Sequence, residues 1–457
     1  MTGPVRPTDP GVERGYRRQA QQAQAELRIP ALAVALHRAD RPLWTYEIGA
    51  LPETLFRIGS VTKTFTAVLV MQCRDEGLLG LDDPIGRHLG VPAHGDLTVR
   101  RLLSHTSGLQ REPFGDVWDT LRAPGEARLL ADLVRAEAVL APGRRYHYSN
   151  LGYALLGRVV AQVRGGSWAE VLADRILRPL GLGSVTPTPE AERMATGYLV
   201  DAYSDHARPE PSTDFGAVGP AAQLWGTAAD LARWAAFLND PAVLDPSGAV
   251  LAPATLDEMR WPVTPTDEQL WAVGFGLGLI AIPQGERRVH VGHDGAMPGF
   301  LAAVYGRRGA GTPPALGAAV LAASGTAAAI GDLPHELMRA AVADDPPEIQ
   351  PWRIGEPAPE EYRSVLGRWW GEGFEYVFSW RDGALRARGA DDPAGRPPAV
   401  FGPTGEADVL RTVSGRETGE LLRLTRDATG TVTRMHWATY RFTRDQQTFD
   451  GVPASHP

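Results

Sequence analysis

The residues best suited to chemistry lie in the stretch "GSVTK" (59–63), which holds the chain's only lysine, Lys63. Arginine supplies every other basic side chain. If Ser60 opens a helix, positions i and i+3 share a face, and the Lys63 amine lies beside the Ser60 hydroxyl. Burial and the helix N-terminus would lower the pKa of Lys63, so that it could accept the proton of a serine nucleophile. A Ser-x-x-Lys spacing more often marks a surface helix, but a lone lysine favours the chemical interpretation.

A second motif, Tyr148-Ser149-Asn150, lies in "YHYSNLGY" (146–153), and Asn150 is one of only two asparagines in the chain. A tyrosine of pKa ~10 acts as a base only when a nearby cation favours its phenolate, and Lys63 could supply that cation. The alternative is a structural tyrosine that leads into a helix beginning at Asn150 or Leu151.

A third motif, His293-Asp294-Gly295, follows a predicted strand in "HVGHDGAMPGF" (290–300). A glycine there would let a substrate pack against the strand edge, and a histidine can donate to a carbonyl or a carboxylate. The order Ser-x-x-Lys, Tyr-x-Asn, His-x-Gly, at spacings of roughly 90 and 145 residues, is far more informative than any one motif.

Residues 15–345 resemble the serine β-lactamase and penicillin-binding-protein superfamily, in particular its class C-like branch. The segments that carry the resemblance are "FRIGSVTKTFTA" (56–67), "LTVRRLLSHTSGL" (97–109), "YHYSNLGYALLG" (146–157), "GTAADLARW" (226–234) and "GHDGAMPGF" (292–300).

The resemblance implies that Ser60 is the acylated nucleophile and Lys63 its proton partner. It further implies that Tyr148 passes protons to leaving and attacking groups, and that Asn150 binds Lys63 and the substrate amide. The oxyanion hole would consist of the backbone N–H groups of Ser60 and Ala296. Whether lysine or tyrosine is the working base stays open.

The sequence departs from the antibiotic-hydrolysing members because His293-Asp294-Gly295 stands where they carry Lys-Thr-Gly. The cation that would hold a drug carboxylate is therefore missing, and His-x-Gly is more typical of esterases, D-peptidases and acyltransferases of the superfamily. The resemblance assigns substrate contacts to Asp294, Gly295 and Gly226, and Asp294 suggests specialisation toward a substrate amine.

Three functions differ in what Ser60 would receive. The chain resembles the penicillin-binding-protein-type thioesterases, stand-alone nonribosomal peptide cyclases that take a peptidyl group from a carrier-protein or small thioester and release a head-to-tail macrocycle. In that interpretation Arg441 or Arg444, in the barrel segment "WATYRFTR" (437–444), would hold a carboxylate or orient the incoming end, unless both arginines belong to a solvated strand. The alternatives are a D-stereospecific peptidase or carboxylesterase of the same fold, and a non-catalytic binding protein.

The predicted fold is α/β. Residues 1–345 would form a β-lactamase-like antiparallel sheet flanked by helices with an inserted helical subdomain, 346–362 a Pro-rich linker, and 363–450 a lipocalin-like antiparallel β-barrel. Helices are expected over 11–27 and from Ser60 to about Gly77, and helix-rich sequence over 116–140.

Further expected strands are a pair within 31–50, one over 271–283, and a hairpin at Asp382-Gly383. A final helix would cover 330–343.

Composition excludes several partners. The net charge is −8 and no block of arginines stands out, so a nucleic-acid partner is not expected. Histidines 88, 94, 206 and 335 show no metal-ligand spacing, and neither a dinucleotide fingerprint nor a G-x-S-x-G elbow occurs, so we expect no metal and no cofactor. No apolar stretch approaches a membrane span and no secretion signal opens the sequence, which predicts a cytoplasmic protein with no membrane partner. We also expect a monomer, and the helical pattern around Cys73 predicts that this lone cysteine is buried and structural.

Overall fold

The computed structural model describes residues 5–143, 145–285, 288–309, 312–346, 352, 354–371, 373–393 and 395–448. The chain divides into two compact units, Met1–Pro347 and Glu348–Pro457. Of the predicted linker 346–362, residues 347–351 and 353 lie outside the described residues, as do 449 and 450 at the end of the predicted barrel.

The described helices are α1 (Pro10–Glu26), α2 (Thr62–Asp75), α3 (Val99–Leu103), α4 (Val117–Thr120), α5 (Glu126–Ala131), α6 (Asn150–Arg164), α7 (Trp168–Leu172), α8 (Arg178–Leu180), α9 (Gly219–Ala222), α10 (Ala228–Asn239), α11 (Pro241–Leu244), α12 (Pro253–Arg260), α13 (Leu333–Ala343) and α14 (Glu360–Arg363). The strands of the first unit are β1 (Leu32–His37), β2 (Trp44–Ile48), β3 (Phe56–Arg57), β4 (Tyr198–Val200), β5 (Ala207–Pro209), β6 (Trp225–Gly226), β7 (Thr264–Pro265), β8 (Gly274–Phe275), β9 (Ile280–Pro283), β10 (Val289–Met297), β11 (Phe300–Arg308) and β12 (Gly317–Ala322). Those of the second unit are β13 (Gly367–Gly371), β14 (Phe374–Arg381), β15 (Ala384–Gly389), β16 (Ala399–Pro403), β17 (Val409–Ser414), β18 (Leu421–Arg426), β19 (Val432–Trp437) and β20 (Tyr440–Phe442).

The first unit is built on an antiparallel sheet that, within the described residues, has eight strands in the order β2-β1-β12-β11-β10-β9-β8-β7. Alternate residues of β1 enter two different cores, because side chains of a strand point to opposite faces. Ala33 and Ala35 pack on the side of α2, α6 and α10, whereas Val34 and Leu36 pack on the side of α1 and α13. The sheet is therefore covered by helices on both faces, as the predicted α/β class requires.

Several predicted elements are confirmed and others need correction. Helix α1, the β1–β2 pair and α13 match their predictions. The single strand predicted over 271–283 is instead two short strands, β8 and β9, because the chain turns between them at Gly278, where φ is +86°. The helix-rich stretch 116–140 holds only short pieces, since a left-handed Leu121 ends α4 and Pro124-Gly125 separates it from α5.

The second unit is an antiparallel sheet whose strands β13 to β20 follow one another in chain order. Just after β20 the chain returns to β13: the Trp370 N–H donates to the Thr443 carbonyl at 2.8 Å, and the Thr443 N–H donates to the Trp370 carbonyl at 3.0 Å. This pairing joins the last strand to the first, and a core that includes Trp369, Phe378 and Trp437 fills the interior. The predicted antiparallel barrel is confirmed, with its hairpin at Asp382-Gly383 between β14 and β15.

The helices of the described residues are too short or too polar for a bilayer, since none has the length and apolar character of a membrane span.

Candidate active site

Ser60 lies in a tight turn between strand β10 of the large sheet and the two-stranded β3–β6 pair. Strand β3 pairs with β6, and the Ile58 N–H donates to the Leu224 carbonyl at 3.0 Å. A 3₁₀ turn over Gly59–Val61 follows, and α2 begins only at Thr62, two residues later than predicted. Gly59 has a φ of +50°, and a Cβ there would lie 2.8 Å from the Ala296 nitrogen, so only glycine suits this turn.

Lys63 reaches back from the first turn of α2 to the serine and is fully buried. Its Nζ lies 3.0 Å from Ser60 Oγ, 2.6 Å from Asn150 Oδ1 and 2.9 Å from the Ala221 carbonyl. Burial lowers the pKa of Lys63 well below its ordinary value, although the charge of Glu112 acts in the opposite direction. The neutral amine that a proton acceptor requires is therefore favoured at this position.

Tyr148 and Asn150 arrive together at the start of α6. Ser149 caps this helix by accepting the Gly152 N–H at 3.0 Å, which is the local reason that the chain turns here. The Tyr148 side chain lines the same pocket as Ser60, and its ring centroid lies 4.7 Å from Lys63 Nζ. Burial raises the pKa of Tyr148, an effect that the nearby Ser60 hydroxyl opposes, so the resting phenol is neutral.

His105 packs against Tyr148 and the start of α6. Its Nδ1 accepts the Ser149 N–H at 3.1 Å, and its ring lies 4.3 Å from the Tyr148 ring. The residue has a φ of +56° and is fully buried, and this burial, with the charge of Lys63, lowers the pKa of His105 well below its ordinary value. The adjacent Ser104 does not pair with His105, because Ser104 Oγ donates to the Arg100 carbonyl at 2.9 Å.

Strand β10 passes directly against the Ser60 turn. A Cβ at Gly295 would lie 1.9 Å from the Ile58 carbonyl oxygen and 3.3 Å from the Ser60 nitrogen. The backbone N–H groups of Ser60 and Ala296 therefore border the same small volume. Two donors fixed in this way suit an oxygen that becomes negative during acyl transfer.

His293 is buried and neutral, and its single ring N–H is used within the protein rather than for the expected donation to a substrate carbonyl or carboxylate. Nδ1 lies 2.5 Å from the carbonyl oxygen of Asp294, and since a carbonyl can only accept, Nδ1 carries the proton. Burial, followed by the charge of Lys63, lowers the pKa of His293 to about 3. Its Nε2 is an acceptor with no hydrogen-bond partner among the described residues.

Asp294 has exposed surface in the pocket yet is enclosed by protein on its other sides. The Tyr305 hydroxyl donates to its Oδ2 at 2.9 Å. Enclosure raises the pKa of Asp294 to about 6; the bond from Tyr305 opposes the shift and the charge of Asp332 adds to it. Near neutral pH the carboxylate is thus ionised and can accept hydrogen bonds from a ligand.

These groups line one pocket of about 680 Å³. Its walls hold the predicted site residues Ser60, Tyr148, Asn150 and His293–Ala296, together with Arg111, Glu112, Trp118, Phe215 and Ile330, whereas the fully buried Lys63 does not line it. A larger cavity of about 1060 Å³ lies elsewhere in the same unit, around Trp261 and Trp271, and holds none of the predicted catalytic groups.

Gly226 is placed differently from its prediction. It is buried in β6, where it pairs with Phe56, and a Cβ there would meet Val185 at 3.3 Å rather than the pocket. Gly226 therefore helps to hold the strand that leads to Ser60, and its predicted contact with substrate is corrected.

The two barrel arginines are described only within their own unit. Arg441 donates to the Thr448 carbonyl at 2.9 Å. Arg444 lies 3.9 Å over the Trp369 ring and donates to the backbone carbonyls of Ser364, Leu366 and Arg368. The guanidinium of Arg444 thus has a structural use in the barrel, and the substrate contacts of both arginines stay predictions.

Three contributors to the site escaped sequence reasoning, namely Glu112, the Ala221 carbonyl and the supporting ring of His105. The first two carry no motif, and Ala221 acts through its backbone, so no residue type could have indicated it. In the described part of the chain, no group of three or more His, Cys, Asp or Glu side chains is placed to hold a metal ion.

The Beta-lactamase family model matches residues 17–343, most of the first unit and of the chain. The chain belongs to the beta-lactamase family. A model described as a domain of unknown function, DUF7586, matches residues 358–444 of the second unit. Family and fold together place the chain among the β-lactamase-fold serine hydrolases and acyltransferases.

Relatives of this beta-lactamase family member include penicillin-binding protein 4 of Amycolatopsis lactamdurans, 34% identical over 271 residues that cover 55% of this chain and 68% of that protein. The unguisins hydrolase ungD' of Aspergillus campestris is 29% identical over 304 residues, which cover 60% of this chain and 55% of the hydrolase. The chain thus spans about half to two thirds of these two curated relatives. The crystal structure of SurE aligns over 95% of this chain and 99% of its own, with a TM-score of 0.61 and 25% identity.

Proposed function

We propose that Ser60 accepts a peptidyl group from a thioester, carried by a carrier protein or a small thiol, and releases it as a head-to-tail macrocycle. The observation that carries the acyl-transfer part is the buried Lys63 amine, held within 3.0 Å of Ser60 Oγ by Asn150 and the Ala221 carbonyl. A serine hydroxyl with such a neighbour has the partner that it needs to act as a nucleophile.

In the first half-reaction Ser60 Oγ forms a bond to the thioester carbonyl carbon while its proton passes to Lys63. The carbonyl oxygen becomes negative and accepts hydrogen bonds from the Ser60 and Ala296 N–H groups. When the oxyanion collapses, the C–S bond breaks, and the thiol leaves with a proton delivered through Tyr148. The product is a peptidyl ester of Ser60.

In the second half-reaction the N-terminal amine of the same peptide attacks the ester carbon. Tyr148, which lines the pocket beside Ser60 and Lys63 Nζ, passes the amine proton to the departing Oγ. The C–O bond breaks, a C–N bond has formed, and Ser60 regains its hydroxyl. Attack by water would follow the same path and yield a linear acid.

Two features support an amine, rather than water, as the group that receives the acyl chain from Ser60. The pocket presents the ionised Asp294, an acceptor for an amine N–H, whereas His293 is neutral and offers no cation for a substrate carboxylate. A second crystal structure of SurE contains D-Leu. It is 26% identical to this chain and aligns over 95% of it. A ligand with a free amine and a D-configured residue is consistent with a peptidyl substrate here.

A second candidate function is hydrolysis by a D-stereospecific peptidase or carboxylesterase of the same fold. The similarity to unguisins hydrolase favours it, since that relative is described as a hydrolase. The catalytic groups would be the same, and water would replace the amine in the second half-reaction.

One experiment separates the two. The protein is incubated with a peptidyl thioester, a D-Ala-D-Ala peptide and a simple aryl ester, and intact mass and products are followed. A macrocycle from the thioester, lost in Ser60→Ala and kept in the barrel variant Ser379→Ala, supports the cyclase. Linear acid alone, or turnover of the aryl ester alone, refutes it in favour of the hydrolase.

A further inference from the structure

The amide of Asn150 has a polarity that the site must fix. Its two ends are almost the same shape, but only the oxygen can accept a hydrogen bond from Lys63. With the amide turned over, an NH₂ group would face the Lys63 amine, and the contact at 2.6 Å between Nζ and Oδ1 would be lost. Something beyond Lys63 must therefore set the orientation, because a neutral amine can both donate and accept.

Glu112 is placed to do this. The Nδ2 of Asn150 donates to Glu112 Oε1 at 2.7 Å. An ionised carboxylate can only accept, so this contact admits a single orientation of the amide, with Oδ1 on the side of Lys63. The carboxylate thus acts on the lysine through the asparagine.

Glu112 is itself held by a backbone clamp between its own segment and the start of α6. The N–H groups of Asn150 and Leu151 both donate to the Arg111 carbonyl, at 2.7 and 3.2 Å. The Ser149 hydroxyl donates to the Gln110 carbonyl at 2.7 Å. These bonds place the residue next to the amide without any contribution from the Glu112 side chain.

The charges of Glu112 and its neighbour Arg111 also act on Lys63 directly. The Glu112 side chain is 22% exposed, and Arg111, 3.7 Å away, is its ion-pair partner. Glu112 raises the pKa of Lys63 against the larger effect of burial, whereas Arg111 lowers it. Its second oxygen, Oε2, is buried without a partner in the described part of the chain.

We infer that Glu112 is a positioning residue of the acyl-transfer site, which keeps Asn150 Oδ1 turned toward Lys63 and so holds the lysine amine on Ser60. The inference rests on the proposed role of Ser60 as the acylated nucleophile. It applies equally to a cyclase and a hydrolase, because both begin with acylation of Ser60.

The test measures the rate of Ser60 acylation by an aryl ester, with intact mass as the readout, in wild type, Glu112→Ala and Glu112→Gln. Glu112→Ala removes the acceptor and should slow acylation about 10- to 100-fold, the range for a lost hydrogen bond to a charged group. Glu112→Gln keeps an acceptor in its amide oxygen but adds a donor end, so it should fix the Asn150 amide only in part and acylate at a rate between those of Glu112→Ala and wild type. Glu137→Gln, an exposed carboxylate on the neighbouring segment, is the matched control and should leave the rate unchanged.

Two further readouts distinguish positioning from a general structural role. In Glu112→Gln the limb of the pH–rate profile that reports Lys63 should move to lower pH, because the carboxylate that raised the lysine pKa is gone. In an Asn150→Ala background, Glu112→Ala should cost nothing further at a pH where Lys63 is already neutral, since its remaining effect passes through the asparagine.

The inference is overturned if Glu112→Ala acylates within twofold of wild type, if Glu112→Gln is as slow as Glu112→Ala, or if the two substitutions add in the double variant. Thermal melting of each variant identifies any loss of folding, and Glu112→Gln then decides. Failure of the wild-type protein to become acylated at Ser60 refutes the proposed function itself, which is a separate outcome.

Discussion

Replacing Gly295 by alanine tests whether the contact between β10 and the Ser60 turn sets the catalytic geometry. A Cβ at this position would lie 1.9 Å from the Ile58 carbonyl oxygen, whereas real Cβ atoms essentially never approach closer than 3.0 Å. The obstacle is backbone, so the strand and the turn must separate by about 1 Å. A displacement of about 1 Å in a catalytic site costs on the order of 100-fold in rate.

We therefore expect Gly295→Ala to slow Ser60 acylation by an aryl ester about 100-fold and to reduce the free energy of unfolding by about 1–3 kcal/mol, as overpacked sites do. Rapid-quench intact mass measures the first quantity and denaturant unfolding the second. Gly183→Ala is the control, since a Cβ there meets nothing within 4 Å. Acylation of Gly295→Ala at the wild-type rate would refute the reasoning, because the N–H groups of Ser60 and Ala296 would then not depend on this approach.

Three other substitutions give independent checks. Lys63→Arg should fold, as circular dichroism will show, and lose Ser60 acylation, because a guanidinium keeps its proton; wild-type acylation would exclude proton transfer through this side chain. Burial lowers the pKa of His335 to about 4, so the unfolded chain binds a proton first as pH falls below about 6.5. This histidine should therefore lower the free energy of unfolding by about 2 kcal/mol between pH 7 and pH 5, as measured by denaturant titration. His335→Gln should make the free energy of unfolding depend less steeply on pH, whereas the exposed His206→Gln should leave that dependence unchanged. Arg444→Ala should lower the melting temperature of the barrel unit by the equivalent of about 1 kcal/mol, through its lost contact with Trp369; an unchanged melting temperature with a raised KM for thioester would instead support its predicted contact with substrate.

Part of the fold could be predicted from local sequence patterns. Helix α1 was predictable because its amphipathic period lies within a few residues of sequence. Strand β12 has no such signal: all of its residues are buried, on both faces of the sheet, so "GAAVLA" shows no alternation of polar and apolar types. The break between β8 and β9 likewise depends on Gly278, whose left-handed backbone is imposed by packing against α2 and α6.

By itself, the sequence of this protein determined which chemistry to expect, because a lone lysine three residues after Ser60 and two further motifs in a fixed order indicate a serine acyl-transfer site. Only the tertiary structure decided how the lysine is held. Its partners Asn150 and the Ala221 carbonyl lie 87 and 158 residues away in the chain, and one of them is a backbone atom. The same holds for Glu112 and for the neutral state of His293, since hydrogen-bond partners and burial are set by which segments pack together, a property that residue types and spacing do not encode locally.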